Sequence, residues 1–213
     1  MTSGASGSPL AAEFYARPVL EVAPELIGCT VQHGRTSGVI VETEAYHESE
    51  PACHAFAGLT PRTKTLFGPP GHAYVYRSYG IHALLNAVCE PEGVGAAVLI
   101  RALQPVRGIE RMRARRGLIA NRPARNAELC SGPGKLAQAL DIGLGDDGRT
   151  LWRGPLRILA RAGVWQDPLI LQGERVGITR AMDLRWRFCA GGNGHVSRPR
   201  PRPAPAPKRG RGR

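Results

Sequence analysis

Lysine is almost missing from this chain. Of its 29 basic residues only Lys64, Lys135 and Lys208 are lysine. An arginine bias suits bidentate phosphate contacts, and it equally suits a GC-rich coding genome; both readings stand. Acids are scarce too, 17 against the 29 bases, which leaves a net charge of +12 and points to a polyanion, either nucleic acid or an anionic membrane surface. The five cysteines form an odd set without a Cys-x-x-Cys pair, which excludes a disulfide scaffold and fits a reduced cytosolic protein. The start of the chain has neither a basic stretch nor an apolar run, so no secretory signal is expected. No uncharged apolar stretch reaches membrane-spanning length. A soluble protein working in the cytoplasm is expected, with no membrane partner.

At 213 residues the chain fits one domain with appendages. Residues 1–10 are small and polar and are expected to be disordered. Residues 198–213 alternate Arg-Pro and Ala-Pro and carry seven bases and no acid. A core cannot form there, so a disordered basic tail is expected, tethering the protein non-specifically to a polyanion. Between them, residues 11–197 are only mildly basic, since the first 197 residues carry +5 of the total. Periodicity predicts a helix over 18–27 with Pro24 in conflict. It predicts strands at 29–31 and 38–46 with a turn at Ser37-Gly38. Residues 47–73 lack periodicity and form a long loop, of the kind that is usually functional. Strands follow at 73–77 and 82–88 around a hairpin tip at Tyr79, then at 96–102. A basic helix is predicted over 105–116, and another runs to Leu140 with Ser131 as N-cap. Short strands are predicted at 156–160, 169–171 and 185–188.

Within the second strand, alternation projects Glu42, Glu44 and Tyr46 to one side and Val41, Thr43 and Ala45 to the other. Alone, that row reads as a solvent-facing edge. Tyr74 and Tyr76 also share a face, and one of them is expected in the core. His54 beside Cys53, near His47, His72 and His82, invites a metal reading, but the spacing matches no standard zinc pattern. Gly132-Pro133-Gly134-Lys135 lacks the upstream glycine and the Ser/Thr of a triphosphate loop. Lys135 at a helix N-terminus touching a phosphate fits better.

Five blocks occur in order: Glu42-Thr43-Glu44-Ala45-Tyr46; Pro70 to Tyr76 with Tyr79-Gly80; Leu99-Ile100-Arg101-Ala102-Leu103; Leu129 to Leu136; and Trp186-Arg187-Phe188. Together they resemble the alkyladenine (3-methyladenine) DNA glycosylase family over roughly Glu13 to Val196. The resemblance implies an α+β fold, a single mixed domain around a curved antiparallel β-sheet with a protruding β-hairpin that enters the minor groove. It implies Glu44 as catalytic base assisted by Arg101, a base pocket of Tyr46, His54 and Tyr76 with Asn86 at its rim, and Tyr79 as wedge, which Ile81 would widen. Thr63, Glu50, Cys53 and Arg185 depart from the family's usual residues, which puts the local loops in question rather than the chemistry.

The chemistry agrees with these residues. A carboxylate near the sugar can deprotonate a water and stabilise an oxocarbenium-like state. Tyrosine faces can hold an extruded base, more tightly when it is cationic. The expectation is a monofunctional glycosylase that flips and excises alkylated purines, acting as a monomer on damaged double-stranded DNA with no metal or organic cofactor. The alternatives are a non-catalytic damaged-DNA-binding protein of the same fold and, more weakly, a sugar-processing hydrolase.

Overall fold

A computed structural model describes residues 7–118 and 126–201. Its centre is an antiparallel sheet of eight strands that does not close on itself. The strands are β1 (Thr30–His33), β2 (Thr36–His47), β3 (Ala73–Ser78), β4 (His82–Val88), β5 (Ala96–Arg107), β6 (Leu156–Leu159), β7 (Ile170–Gly173) and β8 (Arg187–Ala190). The order across the sheet is β3-β4-β5-β2-β1-β6, and β8 pairs with both β2 and β7. Among the described residues four α-helices accompany the sheet: α1 (Ala12–Tyr15), α2 (Val19–Glu25), α3 (Ile109–Arg115) and α4 (Pro133–Leu140). The single α+β domain expected from the sequence is what forms.

β2 is buried along nearly its whole length, because both of its faces are covered. On one face Val41 and Ala45 join the main core with Val22, Ala23 and Leu26, and the Thr43 hydroxyl donates to the Ala23 carbonyl at 2.8 Å. The opposite face carries Glu42 and Glu44. A second, smaller apolar cluster (Cys53, Ala55, Leu66, Tyr74, Val88 and Ala97) lies under the 48–72 loop, with Tyr46 and Tyr76 packed against it. That loop holds two single-turn helices, His54–Ala57 and Lys64–Phe67.

Several local expectations are corrected. The β1–β2 turn falls at Gly34-Arg35 rather than Ser37-Gly38, Gly34 having the positive φ of 55° that the turn needs. α2 keeps Pro24 in its last turn. The carbonyl of Leu20, which loses a partner there, belongs to an exposed residue. α1 is a short helix that the pattern did not announce. The basic helix begins at Ile109 because β5 runs on to Arg107; β4 has already ended beside it, so Pro105 meets only β2 and its missing N–H is tolerated. Ser131 does not cap α4, whose N-cap is Gly132; Ser131 bridges to Ala102 instead. Ser8 to Leu10, within the stretch expected to be disordered, hydrogen-bond to Ala160 and Ile158. At the other end, Pro199 and Arg200, in the expected tail, bond to Arg187, Val196 and Gly194. The rest of the tail, 202–213, lies outside the described residues.

Candidate active site

Strand register assembles the site. Tyr74 pairs with Asn86, Asn86 with Leu99, and Leu99 with Glu44, so one row crosses β3, β4, β5 and β2. Paired residues share a face. Next to this row the β2–β5 ladder slips twice. Val41 is an extra residue on β2, and Arg101 is an extra residue on β5, between Ala102 opposite Glu42 and Ile100 opposite Thr43. Such bulges re-aim side chains. Here Arg101 is turned to the side of Glu42 and Glu44, where it bonds both.

A cavity of about 680 Å³ opens on this side of the sheet, lined by Tyr46, His54, Tyr74, Tyr76, Asn86 and Arg101, with Val176 to Arg180 as the far wall. Tyr74 and Tyr76 stack at 5.3 Å between centroids. Tyr74 is buried in the smaller apolar cluster, as expected for one of the pair, while Tyr76 packs against that cluster, and the two rings together form a wall of the cavity. His54 stands edge-on to Tyr76 at 4.6 Å. Its Nδ1 lies 3.1 Å from the Tyr74 hydroxyl and its Nε2 3.4 Å from Arg62. Arginine only donates, so Nε2 accepts and Nδ1 carries the proton. Burial and then Arg62 hold the His54 pKa below its ordinary value, so the ring is neutral. The Asn86 amide nitrogen donates to the carbonyls of Tyr74 at 3.1 Å and Leu84 at 3.4 Å.

Glu44 does not line this cavity. It is fully buried one layer behind the wall, and its hydrogen-bond donors form that wall. Oε1 accepts the Val176 N–H at 2.7 Å; Oε2 accepts the Tyr46 hydroxyl at 2.8 Å and Arg101 Nη1 at 3.2 Å. Burial raises the Glu44 pKa above the ordinary glutamate value, against the pull of Arg101, the Val176 N–H and Tyr46. The expected ionising influence of Arg101 is present, but desolvation outweighs it. Tyr46 is pushed well up by burial and by Glu44, so it stays a proton donor.

Arg175 was invisible in the sequence. Its guanidinium grips Glu50 at 2.6 and 2.9 Å and lies 4.7 Å from the Tyr46 ring and 5.4 Å from Trp186. The adjacent Val176 acts through its backbone, which no side-chain pattern signals. Glu50 stood out only as a departure from a resemblance.

At the hairpin, Ser78 accepts the N–H of Ile81 at 3.1 Å, with Tyr79 at φ 49° and Gly80 at φ 70° between them. Positive φ at both central positions is the type I′ pattern. Gly80 accepts it freely, whereas a bulky residue does so under strain. Tyr79 is 91% exposed and Ile81 74%, and the Tyr79 side chain reaches the cavity mouth. α4 seats its first turn on the hairpin base. A side chain at Gly134 would come within 2.9 Å of His82, and Lys135 beside it is exposed. Among the described residues no group of three or more His, Cys, Asp or Glu is placed to hold a metal ion.

A family model described as methylpurine-DNA glycosylase matches residues 13–194. Relatives whose names carry the words 3-methyladenine DNA glycosylase match nearly end to end. One from Rhodopseudomonas palustris strain HaA2 is 55% identical over 196 residues, covering 92% of this chain and 94% of its own. A second, from strain ATCC BAA-98 / CGA009 of the same species, is 53% identical over 198 residues, covering 93% and 92%. A third, from Nitrobacter winogradskyi, is 49% identical over 193 residues, covering 91% and 89%.

Proposed function

The chain belongs to the methylpurine-DNA glycosylase family, and on that premise we propose that it flips alkylated purines out of duplex DNA and hydrolyses their N-glycosidic bond with Glu44 as base. The observation that carries this is the carboxylate held by three donors, each of which is also part of the wall of an aromatic cavity.

Extrusion costs a few kcal/mol. Stacking on Tyr46, Tyr74 and Tyr76 repays about 1–3 kcal/mol per base, and a cationic alkylpurine gains a further ~0.5–2 kcal/mol over the ring faces. Tyr79 and Ile81, exposed at the hairpin tip, fill the vacated stack. Lys135 contacts a phosphate beside them. Asn86 sits in the row below the base and screens it by shape.

A carboxylate offers about four acceptor positions, and three are taken. The remaining one is on Oε1, which takes the Val176 N–H alone, while Oε2 takes both Tyr46 and Arg101. A water entering there gives its proton to Glu44 and its oxygen to C1′. The purine departs with the electron pair of the broken bond. An alkylated purine already carries positive charge, so it leaves neutral without an acid. Among the described residues no lysine lines the cavity, consistent with hydrolysis that stops at the abasic site rather than Schiff-base strand cleavage.

Release of 3-methyladenine and 7-methylguanine from methylated duplex tests the proposal. Glu44→Gln should bind duplex as the parent does and lose about 10²–10⁴-fold in excision rate. Parental excision by that variant would remove Glu44 from the reaction.

A further inference from the structure

Glu42 touches neither cavity nor solvent, yet it accepts four hydrogen bonds. Oε1 takes Arg101 Nε at 2.9 Å, Arg187 Nε at 2.8 Å and the Ser197 hydroxyl at 2.9 Å; Oε2 takes the Ser197 N–H at 2.7 Å. The donors come from β5, β8 and the chain beyond β8. Arg187 doubles back to the carbonyls of Ser197 and Pro199, which locks that last segment in place. Arg101 spans the two glutamates, with Nε on Glu42 and Nη1 on Glu44. A guanidinium is a rigid plane, so pinning Nε sets the direction in which Nη1 points.

We infer that Glu42 is a positioning residue for base excision: anchored by Arg187 and Ser197, it aims Arg101 at Glu44, so the segment after β8 belongs to the catalytic apparatus. This rests on Glu44 being the base. An ion pair kept only for stability makes a different prediction, since buried pairs can be exchanged for neutral groups without loss of function.

The rate on the pH plateau at unchanged duplex affinity separates the two, while the acid limb reports the lost charge. The groups facing Glu44 are Glu42 and Tyr46 from β2, Arg101 from β5, Tyr76 from β3, Arg187, which pairs with it across the β2–β8 ladder, and Cys189 from β8, and Arg175 with the Val176 N–H from the loop after β7. Glu42 is the one carboxylate in that set, and it helps hold the Glu44 pKa up. Glu42→Gln removes that negative charge, which favours ionised Glu44 and moves the acid limb to lower pH, while Arg101, held by a neutral amide instead of a carboxylate, loses its aim and the reaction slows.

The test is single-turnover release of methylated base across pH by the full-length protein, its Glu44→Gln and Glu42→Gln variants, and the double Glu42→Gln/Arg187→Gln. The double keeps the buried charge balanced and decides the matter if the single variant does not fold. The expected result is at least about a tenfold loss of rate in both Glu42 variants, with duplex affinity unchanged and the acid limb of the single variant displaced downward. Glu42 variants that melt lower but keep the parental plateau rate would overturn the inference while leaving Glu44 as base. Parental activity in Glu44→Gln, or no release by the parent, would overturn both.

Discussion

Replacing Glu50 by glutamine should cost the protein about 3 kcal/mol, at the low end of the 3–5 kcal/mol found when one partner of a buried ion pair is removed. The Arg175 side chain is fully buried and that of Glu50 is 5% exposed, so solvent cannot replace the lost charge. Glutamine retains one oxygen for Arg175 Nη1, and the carbonyls of Ala45 and Ala181, at 3.1 and 3.3 Å, still accept; hence the low end. For a domain of this size each kcal/mol moves the melting temperature by about 2–4 °C, so thermal unfolding should shift down by about 6–12 °C. Excision should fall as well, because Arg175 holds the Tyr46 ring and sets the position of the Val176 N–H. Adding Arg175→Met should recover much of the stability but not the activity, since the orphaned charge is gone and the ring support with it. A shift below about 2 °C in Glu50→Gln would refute the reasoning. It would mean that this pair is not what fastens the cavity's far wall.

Excision should decline as pH falls through the pKa of Glu44. Burial raises that pKa and the base works ionised, so single-turnover rates should begin to drop above the ordinary glutamate value; a profile flat down to pH 4.5 would contradict this. Tyr79→Asn should leave thermal stability unchanged or higher, because the ring is 91% exposed and asparagine tolerates positive φ, yet it should slow excision from duplex more than from single strands. Ending the chain after Pro201 removes five bases and should flatten the log affinity against log salt slope by up to about 4.5, at ~0.9 per phosphate. An unchanged slope would rule out tethering by that tail.

The hairpin and the alternation along β2 were legible because both are local: turn residues between two apolar runs, and a period of two. The same period set Tyr74, Asn86 and Leu99 on their faces, so the sheet's share of the cavity follows from strand pairing, while the rest of the lining comes from the connecting segments. What could not be read depends on contacts distant in the chain. Val176 reaches Glu44 across 132 positions and does so with its backbone. Arg175 and Glu50 lie 125 apart in segments without periodicity. That Glu44 lies behind the cavity wall, and not in it, depends on the Val176 loop, whose path no pattern announces. Pro105 misled because proline argues against a strand interior, and only the early end of β4 makes it acceptable there.

The paired slips between β2 and β5 make the two strands unequal partners in any change of length. Removing Arg101 outright would give a smoother ladder, and the neighbouring Ile100 or Ala102 would then offer only hydrocarbon to two buried carboxylates. Loss of Val41 alone would remove the matching slip on β2 and, with a period of two, put the residues before and after it on opposite faces from those they now share. Length variation in either strand is therefore tolerable only when the other answers it residue for residue, which makes this ladder a poor place for insertions and the loops around it the natural place for diversity.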